Sequence, residues 1–282
     1  MTLKVGKFAT VVGTWMERHL SWENPFINAP LPYENVTFAA DLETPSSAAE
    51  FVGEKIDATT KYEYLPVIWG PSYATGAAVS GRIGKFEYAA EAKNAALGSR
   101  PESWELNGIG FERPSFHVRV GFRPNQMWRV GFSAADGPYL RDGAGDTLPT
   151  GQSLQHYHEK VLAQDVSFAW HHWQVWAEFF EARYETPRVG NSDTFIYYVE
   201  AKYKFTPQLF AALRWNQQFY ADVRDGEGGH APWGHDIWRI DTSLGYRFTA
   251  DTQLKLQYSL EHEDAGGDGA RHTFAGQFTM RF

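Results

Sequence analysis

The chain has 282 residues, 16% of them aromatic, yet its mean hydropathy is −0.45 and its formal net charge is −8. That acidic balance disfavours nucleic acid as a partner. The absence of cysteine removes disulfides and thiolate metal sites, and no run of about 18 apolar residues is present to form a transmembrane helix.

Aromatic residues without a matching aliphatic core suit a sheet with one apolar and one polar face. In chain order, strands are expected at 2–8, 69–80, 84–95, 114–123, 126–134, 160–170, 173–185, 193–205, 208–221, 236–249, 252–262 and 271–282. Around 116–123, Phe116, Val118, Val120 and Phe122 alternate with His117, Arg119, Gly121 and Arg123. Over 195–205, Phe195, Tyr197, Val199, Ala201, Tyr203 and Phe205 face away from Glu200, Lys202 and Lys204. Trp238, Ile240, Leu244, Tyr246 and Phe248 oppose Arg239, Asp241 and Arg247, and Leu254, Leu256, Tyr258 and Leu260 oppose Lys255 and Glu261. Residues 69–95 are rich in Ala and Gly and carry a weaker pattern. The segment 173–185 changes phase, from Trp173, Val175, Ala177 and Phe179 to Phe180, Ala182 and Tyr184, which predicts a β-bulge near Phe179 or Phe180.

The connections alternate in length. Tight turns are expected near Gly81, Pro124, His171, Pro207 and Ala250; the longer joins are 9–68, 96–113, 135–159, 186–192, 222–235 and 263–270. Short turns at one end and longer loops at the other are the topology of an outer-membrane barrel, whereas a soluble sandwich has no reason to keep that parity. The whole chain, 1–282, therefore reads as one all-β domain, a transmembrane antiparallel up-and-down β-barrel with about twelve strands. The start, MTLKVGKFAT, has neither a basic region nor an apolar segment, so an export signal is expected outside this sequence.

The end, ARHTFAGQFTMRF, places Phe274, Gly276, Phe278, Met280 and Phe282 on one face. It resembles the C-terminal assembly signal of outer-membrane barrels. At the front, KVGKF at 4–8 followed by WMERHLSWENPFINAPLPYE at 15–34 resembles the phosphate-selective porin family. In that family a strand ending Gly-Lys/Gln-Phe leads into a long loop folding toward the pore, and members are usually sixteen-stranded trimers. The resemblance implies that these twelve strands are either a complete wall or part of a sixteen-stranded one, and that a homotrimer is the expected assembly. Its partners would be outer-membrane lipids, lipopolysaccharide and small hydrophilic solutes or anions.

For such a channel the chemistry lies on the inward face. The expected pore-lining residues are Arg119, Arg123, Arg129, Arg183, Lys202, Lys204, Arg214, Arg239, Arg247 and Lys255, with Asp165, Glu178, Glu181, Glu200, Asp241 and Glu261. A basic excess biases a pore toward anions, while cross-strand pairing of opposite charges is the plainer reading of any one residue. The 9–68 connection exceeds the length of a passive loop; residues 15–34 are expected to constrict the mouth, with an extracellular lid as the alternative. His156 with His158 could share a face, and DGAGD (142–146) and EDAGGDG (263–269) could take calcium, but none has a full ligand set. No cofactor is called for, and no nucleophile stands beside His235–Asp236 or His262–Asp264 to suggest an enzyme. A passive porin is the leading reading; a barrel that sheathes a partner protein, or a hydrolase, are the rivals.

Overall fold

The computed structural model describes residues 1–54, 56, 59–105, 111–264 and 269–281. Twelve strands form one antiparallel sheet in simple up-and-down order. They are β1 (Thr2–Lys7), β2 (Thr75–Ile83), β3 (Phe86–Lys93), β4 (Ser115–Phe122), β5 (Trp128–Pro138) and β6 (His158–Trp170). They continue as β7 (Trp173–Thr186), β8 (Gly190–Lys204), β9 (Leu209–Tyr220), β10 (Ile237–Arg247), β11 (Thr252–Glu263) and β12 (Arg271–Met280). Each pairs with its sequence neighbour. Among the described residues β1 pairs only with β2 and β12 only with β11, so no ladder joins the two edges that a closed barrel pairs. Phe282, and residues 265–268 of the second acidic run, lie outside the described residues.

The strands exist because one face is apolar and the other polar, and the period-2 reading carries through almost everywhere. Phe116, Val118, Val120, Phe132, Leu162, Val199, Leu213, Leu244 and Leu256 are exposed on the outer face. Aromatic rings collect in two bands there. Trp128 lies 4.5 Å from Phe168 and Trp173 lies 4.8 Å from Tyr203 near the short turns, while Trp215 stacks on Trp238 at 5.8 Å higher up. Phe195 and Phe205 are ten residues apart on β8 and just beyond it. That length, at a strand tilt of about 40°, spans roughly 25 Å, the height of a lipid-facing belt.

Two connections differ from expectation. The turn placed near Gly81 lies at Gly84–Lys85, because Gly84 supplies the positive φ of +60° that a two-residue hairpin needs. The join 186–192 is not long: Thr186 pairs with Gly190, leaving three residues outside the ladder. No bulge interrupts β7 either, since its registers with β6 and β8 are continuous. The phase change has another cause. Phe180, Ala182 and Tyr184 point inward and are buried, and Phe180 and Ala182 pack against Val12, Trp15, Leu31 and Tyr33 of the first long connection. The inner face turns apolar where a packed segment, rather than water, lies against it.

That connection divides in two. Residues 10–35 lie against the inner faces of the strands. Farther along, Phe38, Ala39, Phe51 and Leu65 join a second cluster with the other loops, packing with Tyr139, Tyr184, Tyr220 and Trp233. A small ladder between Val36–Ala40 and Tyr64–Pro66, and another between Asp222–Arg224 and His230–Pro232, stiffen this cap. Trp233 stacks on Phe51 at 5.7 Å and donates to the carbonyl of Asp193 at 2.7 Å.

Candidate functional site

The inner segment enters through a buried polar cluster. Glu91 on β3 accepts from Thr10 Oγ1 at 2.7 Å and from the Val11 amide at 3.2 Å, and it meets His117 Nδ1 at 2.6 Å. His117 Nε2 in turn lies 2.6 Å from Ser115 Oγ. Three residues on, Gly13 adopts φ +73°; a Cβ there would stand 2.4 Å from Tyr33 Oη and 2.8 Å from Glu178 Oε1. The turn at Gly13 brings Thr14 and Trp15 onto Glu178, which is fully buried on β7. Glu178 accepts from both Thr14 donors, from the Trp15 amide at 3.1 Å, and from the hydroxyls of Tyr33 at 2.7 Å and Tyr198 at 2.8 Å. One carboxylate on the wall thus satisfies five donors, four of them from the incoming segment and one from Tyr198 on the wall.

Arg18 follows. It pairs with Glu200, donates to Tyr198 Oη at 3.1 Å and lies 4.3 Å over the ring of Trp176. Beside it Glu17 binds Arg129 through both carboxylate oxygens, at 2.6 and 2.8 Å. Burial alone would raise the Glu17 carboxyl, but the hydrogen bonds and charge of Arg129 outweigh it and hold it below its ordinary value.

Residues 21–35 then lie along β9–β11. Lys255 donates to the carbonyls of Ser21 at 2.8 Å, Asn24 at 3.0 Å and Phe26 at 2.8 Å. Arg214 bridges Asp241 at 2.9 Å and the Ala29 carbonyl at 3.1 Å, with its guanidinium 4.2 Å over the Phe26 ring. Arg239 reaches the Ala29 carbonyl at 2.6 Å, Asp241 at 3.2 Å and Glu34. Asn216, Ser243 and Gln257 bond the backbone of Leu31, Pro25 and Ile27. Arg247 sits 4.8 Å over Trp22, and Lys202 sits 4.2 Å over Phe210.

The expected residues therefore divide into groups. Glu178, Glu200, Lys202, Arg214, Arg239, Asp241, Arg247 and Lys255 are on the inner face, most of them sealed under the segment rather than open to water. Arg119 and Asp165 pair at 2.9 Å on the opposite side, passing over Gly131, where a Cβ would stand 2.4 Å from Asp165 Oδ2. Glu261 is inward and lies 3.7 Å from Arg239. Arg123 and Arg129 line a cavity at the turn end, and Lys204 is exposed at that rim. Arg183 and Glu181 fall on the outer face instead, because β7 keeps its register; Arg183 pairs there with Asp193 at 2.6 Å. His156 bonds Ser153, whereas His158 turns to Asp136, so the two rings serve different partners.

An open space lies on each side of the segment. The cavity at the turn end, about 600 Å³, is lined by Arg18, Arg82, Lys85, Arg123 and Arg129 with Glu17 as the lone carboxylate among the described residues. Glu87 stands behind it, 2.6 Å from Arg123 and 2.9 Å from Arg129. The cavity at the loop end, about 900 Å³, carries Lys61, Arg239 and Arg271 against Glu34, Glu261 and Glu263, with Tyr62, Trp69 and Tyr220 in its wall. The sequence reading missed Glu17, Arg18, Arg82, Lys85 and Glu87. Arg82 and Glu87 are cross-strand partners that alternation shows once the turn is placed at Gly84–Lys85; the loop residues carry no such signal.

No protein-family model matches the chain, and neither does any curated protein sequence. Solved structures do match. The anion-selective porin from Comamonas acidovorans is 9% identical, with TM-score 0.57, over 98% of this chain and 70% of that one. The outer-membrane OmpT of Vibrio cholerae is 9% identical, with TM-score 0.53, over 93% of this chain and 66% of that one. The outer-membrane channel DcaP of Acinetobacter baumannii is 8% identical, with TM-score 0.52, over 73% of this chain and 61% of that one. At these identities the likeness is one of fold. The fold is porin-like, and the chain spans about two thirds of the length of these structures.

Proposed function

We propose that the protein is a non-catalytic outer-membrane channel for small hydrophilic solutes, with a mild preference for anions, and that residues 12–35 form its constriction. The carrying observation is the seating of that segment against the inner wall through Glu178, Arg214, Arg239 and Lys255, with an open cavity on each side. A lid alone would not bury these side chains deep between strands. The exposed apolar outer face and its two aromatic bands support placement in a bilayer, with the short turns on the periplasmic side. The five basic residues at the periplasmic cavity support the anion preference, since rings of Arg and Lys lower the barrier for anions. One structure of similar fold is an anion-selective porin.

The narrower likeness to phosphate-selective porins is supported by the order of parts, a strand over Thr2–Lys7 followed directly by an inward-packed segment. Reversal potentials in a salt gradient test the reading. Anion-directed potentials are expected; a clear cation preference would overturn the selectivity, and no conductance would overturn the channel.

A further inference from the structure

Two compartments separated by a packed segment differ in fixed charge. On the periplasmic side, five cations face one carboxylate among the described lining residues. Glu87 and Glu200, set behind Arg123, Arg129 and Arg18, neutralise part of this but not all of it. Arg82 and Lys85 have no carboxylate partner among the described residues: Arg82 donates to the Gly84 carbonyl at 2.8 Å and Lys85 to the Pro124 carbonyl at 2.6 Å. On the extracellular side the lining balances at three cations and three carboxylates. The step in charge falls at Glu17 and Arg18, where the segment is pinned to the inner face at Arg129, Glu200 and Trp176.

Resting on the channel reading, we infer that this charge step rectifies ionic current, passing more when the extracellular side is positive. The argument is one of ion supply. Low-dielectric walls lined by one sign of charge concentrate the opposite ion, so anions carry nearly all current in the periplasmic compartment, while both ions carry it in the balanced one. With the outside positive, anions leave the basic compartment toward the constriction. Cations arriving from outside meet a compartment that excludes them. Both ions accumulate at the constriction, and conductance rises. With the polarity reversed, anions are drawn from the constriction into the basic compartment and cations leave outward without replacement. The constriction is depleted, and conductance falls. At ~0.1 M salt the Debye length is about 10 Å, comparable to a cavity of this size; at ~1 M it is about 3 Å and the step is screened.

The test is a current–voltage curve for the protein in planar bilayers at both salt concentrations. The chain has no cysteine, so Gln152→Cys on an exposed loop, labelled from one chamber with a bulky impermeant maleimide, reports orientation. The expected result is a larger current with the loop side positive at low salt, lost at high salt. It should also be lost in an Arg82→Gln, Lys85→Gln double variant, which removes two exposed side chains bonded only to turn carbonyls. Equal currents at both polarities in low salt, the opposite sign, or asymmetry that survives the double variant would each overturn the inference while leaving the channel intact. Absence of any current would instead remove the channel reading beneath it.

Discussion

Lys255, fully buried, donates an ammonium proton to the carbonyl oxygen of Phe26 at 2.8 Å, 229 residues away in sequence. With Ser21 and Asn24 as its other acceptors, this one side chain caps three carbonyls of the inner segment that have no strand to pair with. Lys255→Met keeps the length and removes the donors. Ser21 keeps a bond from Gln253 at 3.0 Å, so the loss falls on Asn24 and Phe26; it should cost about 1–3 kcal/mol, the range for leaving such groups unpaired, read as a lower urea midpoint for unfolding from micelles. An unchanged midpoint would mean that the carbonyls find other donors.

Glu178 holds the other end. Glu178→Ala strands five donors and should free the segment at Thr14–Trp15, raising open-channel noise and lowering thermal stability. Glu178→Gln, which keeps an acceptor, should fall between the variant and the parent. Equal behaviour of the two would indicate that the carboxylate's charge, and not its acceptor geometry, matters.

Gly13 cannot carry a side chain without displacing Tyr33 and Glu178, and its φ of +73° adds strain for any L residue. Gly13→Ala should therefore destabilise by roughly 1–3 kcal/mol, measured by the same urea titration, whereas Gly145→Ala, with nothing within 4 Å of the added Cβ, should change stability little. Equal effects would contradict the close packing at Gly13.

The Glu17 carboxyl is held below its ordinary value by Arg129. A carboxylate depressed in the folded state contributes stability that is present above its unfolded value, near 4.5, and lost as pH falls through the lower folded value. Conductance noise should thus be flat from neutral pH to about 5 and rise in stronger acid. Glu17→Gln should show the raised noise already at neutral pH and lose this part of the acid step. A parent-like acid step in Glu17→Gln would assign it to other carboxylates.

Much of the wall was legible because an exposed apolar outer face and a polar inner face put opposite side chains at alternate positions, and that contrast survives in Phe116–Phe122, Phe195–Tyr203 and Leu254–Leu260. It failed where the interior is not wet. Phe180, Ala182 and Tyr184 looked like a bulge because an apolar residue can face either lipid or a packed segment, and alternation alone does not say which. Arg183 was misplaced by the same ambiguity. The turn at Gly84 was hidden by the Ala- and Gly-rich stretch around it, which has little contrast between faces. The partners of Lys255, Arg214 and Glu178 were out of reach, since backbone carbonyls and amides leave no mark on sequence and lie across the whole length of the chain.

The central claim is that residues 12–35 narrow a conducting barrel. Single-channel conductance of the parent and of a variant lacking 15–34 tests it most directly, with heat-modifiable electrophoretic mobility confirming that the variant's barrel has folded. A higher conductance in the folded variant is the predicted result. A conductance equal to the parent's would show that the segment does not constrict the path, and would contradict the account.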